Sequence, residues 1–75
     1  MASASKKLVV CIDNEGYEVS LERRKIYVME PDPAAERRGH VRVIDESGEG
    51  YLYPKAMFVA VDLPAATRKA VLAEA

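Results

Sequence analysis

HVRVIDESGEGYLYPKAMFVAVD, running from His40 to Asp62, is the stretch that decides the fold. His40–Asp45 (HVRVID) and Gly50–Tyr53 (GYLY) are β-forming segments on either side of Glu46-Ser47-Gly48-Glu49, a polar, glycine-bearing link of hairpin length. Strand alternation across that link predicts Val41 and Val43 pointing inward with Leu52 opposite them, and Arg42, Tyr51 and Tyr53 pointing outward. Pro54-Lys55-Ala56-Met57 then reads as a tight corner or a single 3₁₀ turn, and Phe58–Asp62 (FVAVD) as the strand leaving it. A hairpin, a proline corner and a closing strand are what a small closed sheet needs at its end.

Upstream, Lys7–Ile12 (KLVVCI) is a strand whose five consecutive apolar residues, Leu8 to Ile12, break the alternation of a sheet with one wet face. Both of its faces are expected to be covered. Asp13-Asn14-Glu15-Gly16 is a turn cluster, and Tyr17–Leu21 (YEVSL) alternates as a half-buried extended segment with Tyr17, Val19 and Leu21 on one face. Glu22-Arg23-Arg24 makes a second turn before the strand Lys25–Glu30 (KIYVME), which Pro31-Asp32-Pro33 stops. Asp32 as N-cap, Pro33 at the first helical position and Gly39 past the end bound a helix of one or two turns. Downstream, Pro64 opens an Ala-rich helix reaching about Glu74. Leu63, Ala66, Ala70 and Val71 form a thin apolar stripe on it. Alone such a helix is marginal, so it needs a partner surface: the spare face of Leu8–Ile12, an open barrel end, or a second chain. The expected architecture is all-β, a small partly open barrel of about five strands with a short C-terminal α-helix. Its divisions are a disordered leader (residues 1–6), the barrel (7–62) and the helix packed on it (63–75).

With 75 residues the chain makes one domain. Eleven Lys+Arg against twelve Asp+Glu give a net charge of −1, which argues against a dedicated nucleic-acid clamp or a polybasic membrane binder. Hydrophobic residues make up 49%, but eleven of them are alanines, so the core must come from Val, Leu, Ile, Tyr, Phe and part of the Met set. A single cysteine excludes an internal disulfide and a cysteine-built metal site, and suits a reducing cytoplasm. No apolar run approaches the roughly 20 residues of a membrane span, so no membrane partner is expected.

The ten residues Gly50-Tyr51-Leu52-Tyr53-Pro54-Lys55-Ala56-Met57-Phe58-Val59 resemble the glycine–aromatic–aliphatic–proline–x–x–aromatic–valine ending of SH3 domains. On that resemblance, which spans roughly Leu8 to Asp62, Asp13 to Leu21 occupies the first long loop, and the fold implied is an SH3-like barrel. The peptide groove of eukaryotic SH3 domains uses two tyrosines on the first strand and a tryptophan opening the third. Here the first strand carries Val10, Cys11 and Ile12, and the chain has no Trp. The resemblance therefore implies the barrel and not proline-rich peptide recognition. The segments GYEVSLERRKIYV, VRVIDESGE and YLYP are also similar to short uncharacterised bacterial proteins, which implies a source and no activity.

Little in the chain reads as catalytic machinery. Cys11 sits inside an apolar run, where a thiol acts as a small hydrophobe rather than as a nucleophile beside a base. His40 is the only histidine, and a metal site needs three or four protein ligands, so it reads as a strand-end surface residue. With no nucleophile–base pair and no Gly-rich phosphate loop, the expectation is a non-enzymatic protein without metal or cofactor. Tyr51 and Tyr53, two residues apart on one strand, emerge roughly 6.6–6.8 Å apart on one face. With Pro54 and Met57 bordering them, and Asp13, Glu15 and Glu18 overhanging if the resemblance holds, they form an aromatic face suited to a protein or peptide partner. The same rings equally read as cross-hairpin packing against Arg42 and Ile44. The alternative site is basic. Arg23, Arg24 and Lys25 precede one strand, Arg37, Arg38 and Arg42 precede and enter the next, and on paired strands the two clusters would meet at an RNA-binding barrel edge. Glu22, Glu30, Asp32 and Glu36 are interleaved with them, so the edge also reads as solvated ion pairs. Monomer and weak homodimer are both compatible with the sequence.

Overall fold

The computed structural model describes residues 6–73, so the expected leader (residues 1–5 of it) and Glu74 lie outside the described residues. Five strands follow one another as β1 (Lys7–Cys11), β2 (Ile26–Glu30), β3 (His40–Ile44), β4 (Gly50–Pro54) and β5 (Phe58–Ala60). Helix α1 (Pro33–Arg37) links β2 to β3, a 3₁₀ turn (Lys55–Met57) links β4 to β5, and helix α2 (Ala65–Ala73) follows β5. The strands form one antiparallel sheet in the order β4-β3-β2-β1-β5. It curls into a half-barrel compatible with an SH3-like fold, as the all-β reading requires.

The sheet has an inner and an outer apolar layer. Val9, Cys11, Leu21, Tyr27, Val41, Val43, Tyr53 and Met57 form the inner cluster, with Met29 and Phe58 packed against it. On the opposite face Leu8 and Val28, paired across β1 and β2, are also buried. Helix α2 reaches that side at two points. The Arg68 guanidinium donates to the Lys6 carbonyl at 2.7 Å, and Val71 faces the same hollow as Ile26, Val28 and Ile44. Burial on two sides explains why β1 reads as an unbroken apolar run. Ile12, just past its end, returns to solvent.

Two local expectations are corrected. The register of β3 and β4 pairs Val41 with Tyr53, Val43 with Tyr51 and Arg42 with Leu52. Residues facing one another across a ladder share a face, so the tyrosines take the inner side and Leu52 the outer. Tyr53 is 3% exposed and Leu52 45%, the reverse of the predicted arrangement. The cause is the length of the link. Asp45 N–H donates to the Glu49 carbonyl at 3.1 Å, closing a three-residue loop with Gly48 at φ +85°, where the sequence reading used four residues. A slip of one residue moves every side chain of the strand to the other face.

The second correction concerns Tyr17–Leu21, which is a single helical turn and not extended chain. Ser20 and Leu21 N–H groups both donate to the Tyr17 carbonyl, at 3.0 and 2.9 Å. Leu21 alone of the three apolar residues reaches the core, whereas Val19 is 96% exposed. Asn14 holds the turn from both ends: its carbonyl accepts from Tyr17 N–H at 2.8 Å and its Nδ2 donates to the Leu21 carbonyl at 2.9 Å.

Candidate functional site

A shallow hollow of about 450 Å³ lies between this loop and β4. Tyr17 and Ser20 line it from the loop, Asp45 and Ser47 from the hairpin, and Tyr51, Leu52 and Tyr53 from β4. The loop is held in place by two contacts. The Tyr17 ring stands edge-on to Tyr53 with centroids 5.1 Å apart, and Glu46 N–H donates to the Ser20 carbonyl at 3.1 Å.

Asp45 organises the polar side of the hollow. Its buried carboxylate accepts from the Tyr53 hydroxyl, the Ser47 hydroxyl and the Ser47 N–H. Burial works to raise the Asp45 carboxyl, but the hydrogen bonds from Ser47 and Tyr53 outweigh it and hold it below the ordinary Asp value. The Tyr53 hydroxyl is pushed up to about 12, by burial first and by the neighbouring Asp45 carboxylate second. Glu49 extends the acidic side, accepting from the Tyr51 hydroxyl at 3.2 Å.

Of the four residues predicted for an aromatic binding face, the structure leaves Tyr51 exposed and Pro54 half-buried, and places Tyr53 and Met57 in the inner cluster. Tyr51 and Tyr53 still meet, but as rim and wall of the hollow. Leu52 and Tyr17 are the residues that sequence reasoning missed. Leu52 was hidden by the one-residue slip in register. Tyr17 had a signal, an aromatic directly after a turn glycine, but its direction depends on the loop's helical turn. Asp13, Glu15 and Glu18 are exposed and engaged locally: Glu15 N–H donates to Asp13 Oδ1 at 3.0 Å and Gly16 N–H to Glu18 Oε2 at 3.3 Å.

The basic residues are not brought together. Arg23, Arg24 and Lys25 lie before the start of β2, beside the β3–β4 hairpin, where Lys25 Nζ pairs with Glu46 at 2.6 Å. Arg37 and Arg38 lie at the end of α1, next to the start of β3 and so at the opposite end of the antiparallel β2–β3 ladder. Arg42 pairs with Asp32 at 2.9 Å and donates through Nη1 to the Gly50 carbonyl at 3.3 Å. Both β2 and β3 are interior strands, and the sheet's edges belong to β4 and β5.

Cys11 is fully buried, its thiol donates to the Asp13 carbonyl at 3.4 Å, and burial pushes that thiol up from its ordinary value. His40 is exposed, and among the described residues no three His, Cys, Asp or Glu side chains are grouped to hold a metal ion. No helix among the described residues is long and apolar enough to cross a membrane. No protein-family model, curated protein or solved structure gives a significant match to the chain.

Proposed function

We propose that this chain is a small non-enzymatic SH3-like module that binds a protein or peptide segment along β4 and the hollow beside it. The observation that carries this reading is the exposure of two adjacent residues of an edge strand, Tyr51 at 50% and Leu52 at 45%. Neighbours along a strand point to opposite faces, so the two side chains flank the free edge of β4. A segment laid against that edge covers both, gaining backbone hydrogen bonds from the strand and apolar contact on each side. Tyr17 and the acidic side chains of Asp45 and Glu49 border the inner side, favouring a segment that carries basic as well as apolar residues. The single cysteine fits action in a reducing cytoplasm.

The RNA-binding alternative draws on the same six basic residues, of which Lys25 and Arg42 are engaged in ion pairs. Immobilised chain exposed to bacterial lysate separates the readings. The double substitution Tyr51→Ala, Leu52→Ser is expected to abolish capture of a specific protein while the Tm stays within about 5 °C, since both side chains are surface ones. Arg37→Ala with Arg38→Ala is expected to leave capture unchanged. Capture retained by the Tyr51/Leu52 variant overturns the site, and salt-sensitive RNA capture lost in the arginine variant establishes the alternative.

A further inference from the structure

The backbone at the edge of β4 specifies its partner more closely than its side chains do. At one end of the β3–β4 ladder Asp45 N–H donates to the Glu49 carbonyl, and at the other Lys55 N–H donates to the Gly39 carbonyl at 2.9 Å. The register between them is unbroken. Antiparallel ladders alternate bonded and non-bonded pairs. Val43–Tyr51 and Val41–Tyr53 are thus the bonded pairs, and the N–H and C=O groups of Gly50 and Leu52 turn away from β3 to the free edge, while the carbonyl of Pro54 caps the 3₁₀ turn Lys55–Met57. Pro54 has no N–H to offer there, in keeping with the confinement of proline to sheet edges.

We propose that this edge pairs with β4 of a second copy of the chain, antiparallel across a two-fold axis at Leu52, joining two five-stranded sheets into one. The inference rests on the reading of β4 as the binding edge and names its occupant. Three features single out this register. Leu52 and its symmetry mate exchange two N–H···O bonds at the centre of the strand. The acceptor that Pro54 cannot serve, the Gly50 carbonyl, already accepts from Arg42 Nη1. Beyond the strand ends, Glu49 falls opposite Lys55 of the mate, twice by symmetry, and Lys55 takes part in no ion pair among the described residues. On the outer face the two Leu52 side chains meet. On the inner face each Tyr51 lies against the mate's Tyr53 in a non-bonded pair, where side chains approach most closely. A net charge of −1 per chain opposes the association little.

Sedimentation equilibrium between about 10 and about 500 µM tests the proposal. The expected result is a rise from 8.3 kDa toward twice that mass. Glu49→Lys and Lys55→Glu each turn two attractive cross-pairs into repulsive ones, and each is expected to weaken association about tenfold or more. Both together in one chain restore opposite charges, and association is expected to return to within about threefold of the original. Protection of the Leu52 amide from hydrogen exchange is expected to rise with concentration as the mass does. A mass of 8.3 kDa throughout, or a double exchange as weak as the single ones, overturns the dimer. If the monomeric chain still captures a different protein in a Tyr51- and Leu52-dependent way, the dimer is refuted and the reading of β4 as a binding edge stands.

Discussion

Among the described residues, Asp45 is the one charged side chain out of reach of solvent, and its three hydrogen bonds tie the hairpin turn to the wall of the hollow. Removing it strands the Tyr53 hydroxyl inside the sheet, so Asp45→Ala is expected to cost about 1–3 kcal/mol. The same pair gives the stability curve a dependence on pH. Tyr53 is raised from 10.0 to about 12, so the folded state holds that proton more tightly than the unfolded chain does. Its contribution is complete below pH 10 and lost as the pH climbs toward 12. Tyr27, raised by burial and by its hydrogen bond to Glu46, adds in the same direction. Asp45 works at the other end: its lowered carboxyl contributes above its ordinary value of 3.8 and loses that contribution as acid protonates it. Thermal melts from pH 9 to 12 check the alkaline limb, which becomes shallower in Tyr53→Phe. At this scale the sequence was a partial guide. It marked Tyr51 and Tyr53 as the informative residues but turned both outward; they share the inner face, where the curl of the sheet leaves Tyr51 at the rim and buries Tyr53.

At the scale of elements, the chain's own punctuation carried most of the information. Strand ends at Pro31 and Pro54, the helix start at Asp32-Pro33 and the hairpin at Ser47-Gly48 are set by local backbone chemistry, and each falls where the residues indicate. What local chemistry does not specify is the count of residues inside a loop, and a miscount of one inverted β4. The Tyr17–Leu21 segment failed for a related reason. Five alternating residues satisfy a strand template as well as a single turn, and hydrogen bonds from Asn14 decide between them. Gly48 is the position where the turn geometry is testable. It has φ +85° and open space around a would-be Cβ, so the penalty for a side chain there is one of backbone conformation alone. Gly48→Val is expected to cost at least about 1–2 kcal/mol, a Tm loss of roughly 4–16 °C in a domain of this size. An unchanged melting temperature would remove the basis for the three-residue loop and with it the assignment of faces on β4.

For the molecule as a whole, the feature that matters is a sheet buried on both sides by a chain of only 75 residues. The inner layer is closed by the barrel itself, whereas on the outer side Val71 of α2 lines the hollow that Val28 also lines. A chain ended after Asp62 keeps all five strands and loses α2. It is expected to lose about 1.5–3 kcal/mol, on the scale of one fully buried aliphatic side chain, and to bind a hydrophobic dye that the full chain excludes. Equal Tm values for the two chains would show that α2 contributes nothing to the barrel. The five-strand plan and the apolar run of β1 were legible together because double-sided burial leaves an unbroken hydrophobic signature. The site was less legible, since it is made by a loop leaning on an edge, a relation that no single segment encodes. The seclusion of Cys11 has a practical consequence. A thiol at 0% exposure at the end of β1 can be alkylated only when the structure around it opens, so the rate of its modification by a water-soluble reagent is an internal clock for opening of the sheet at β1.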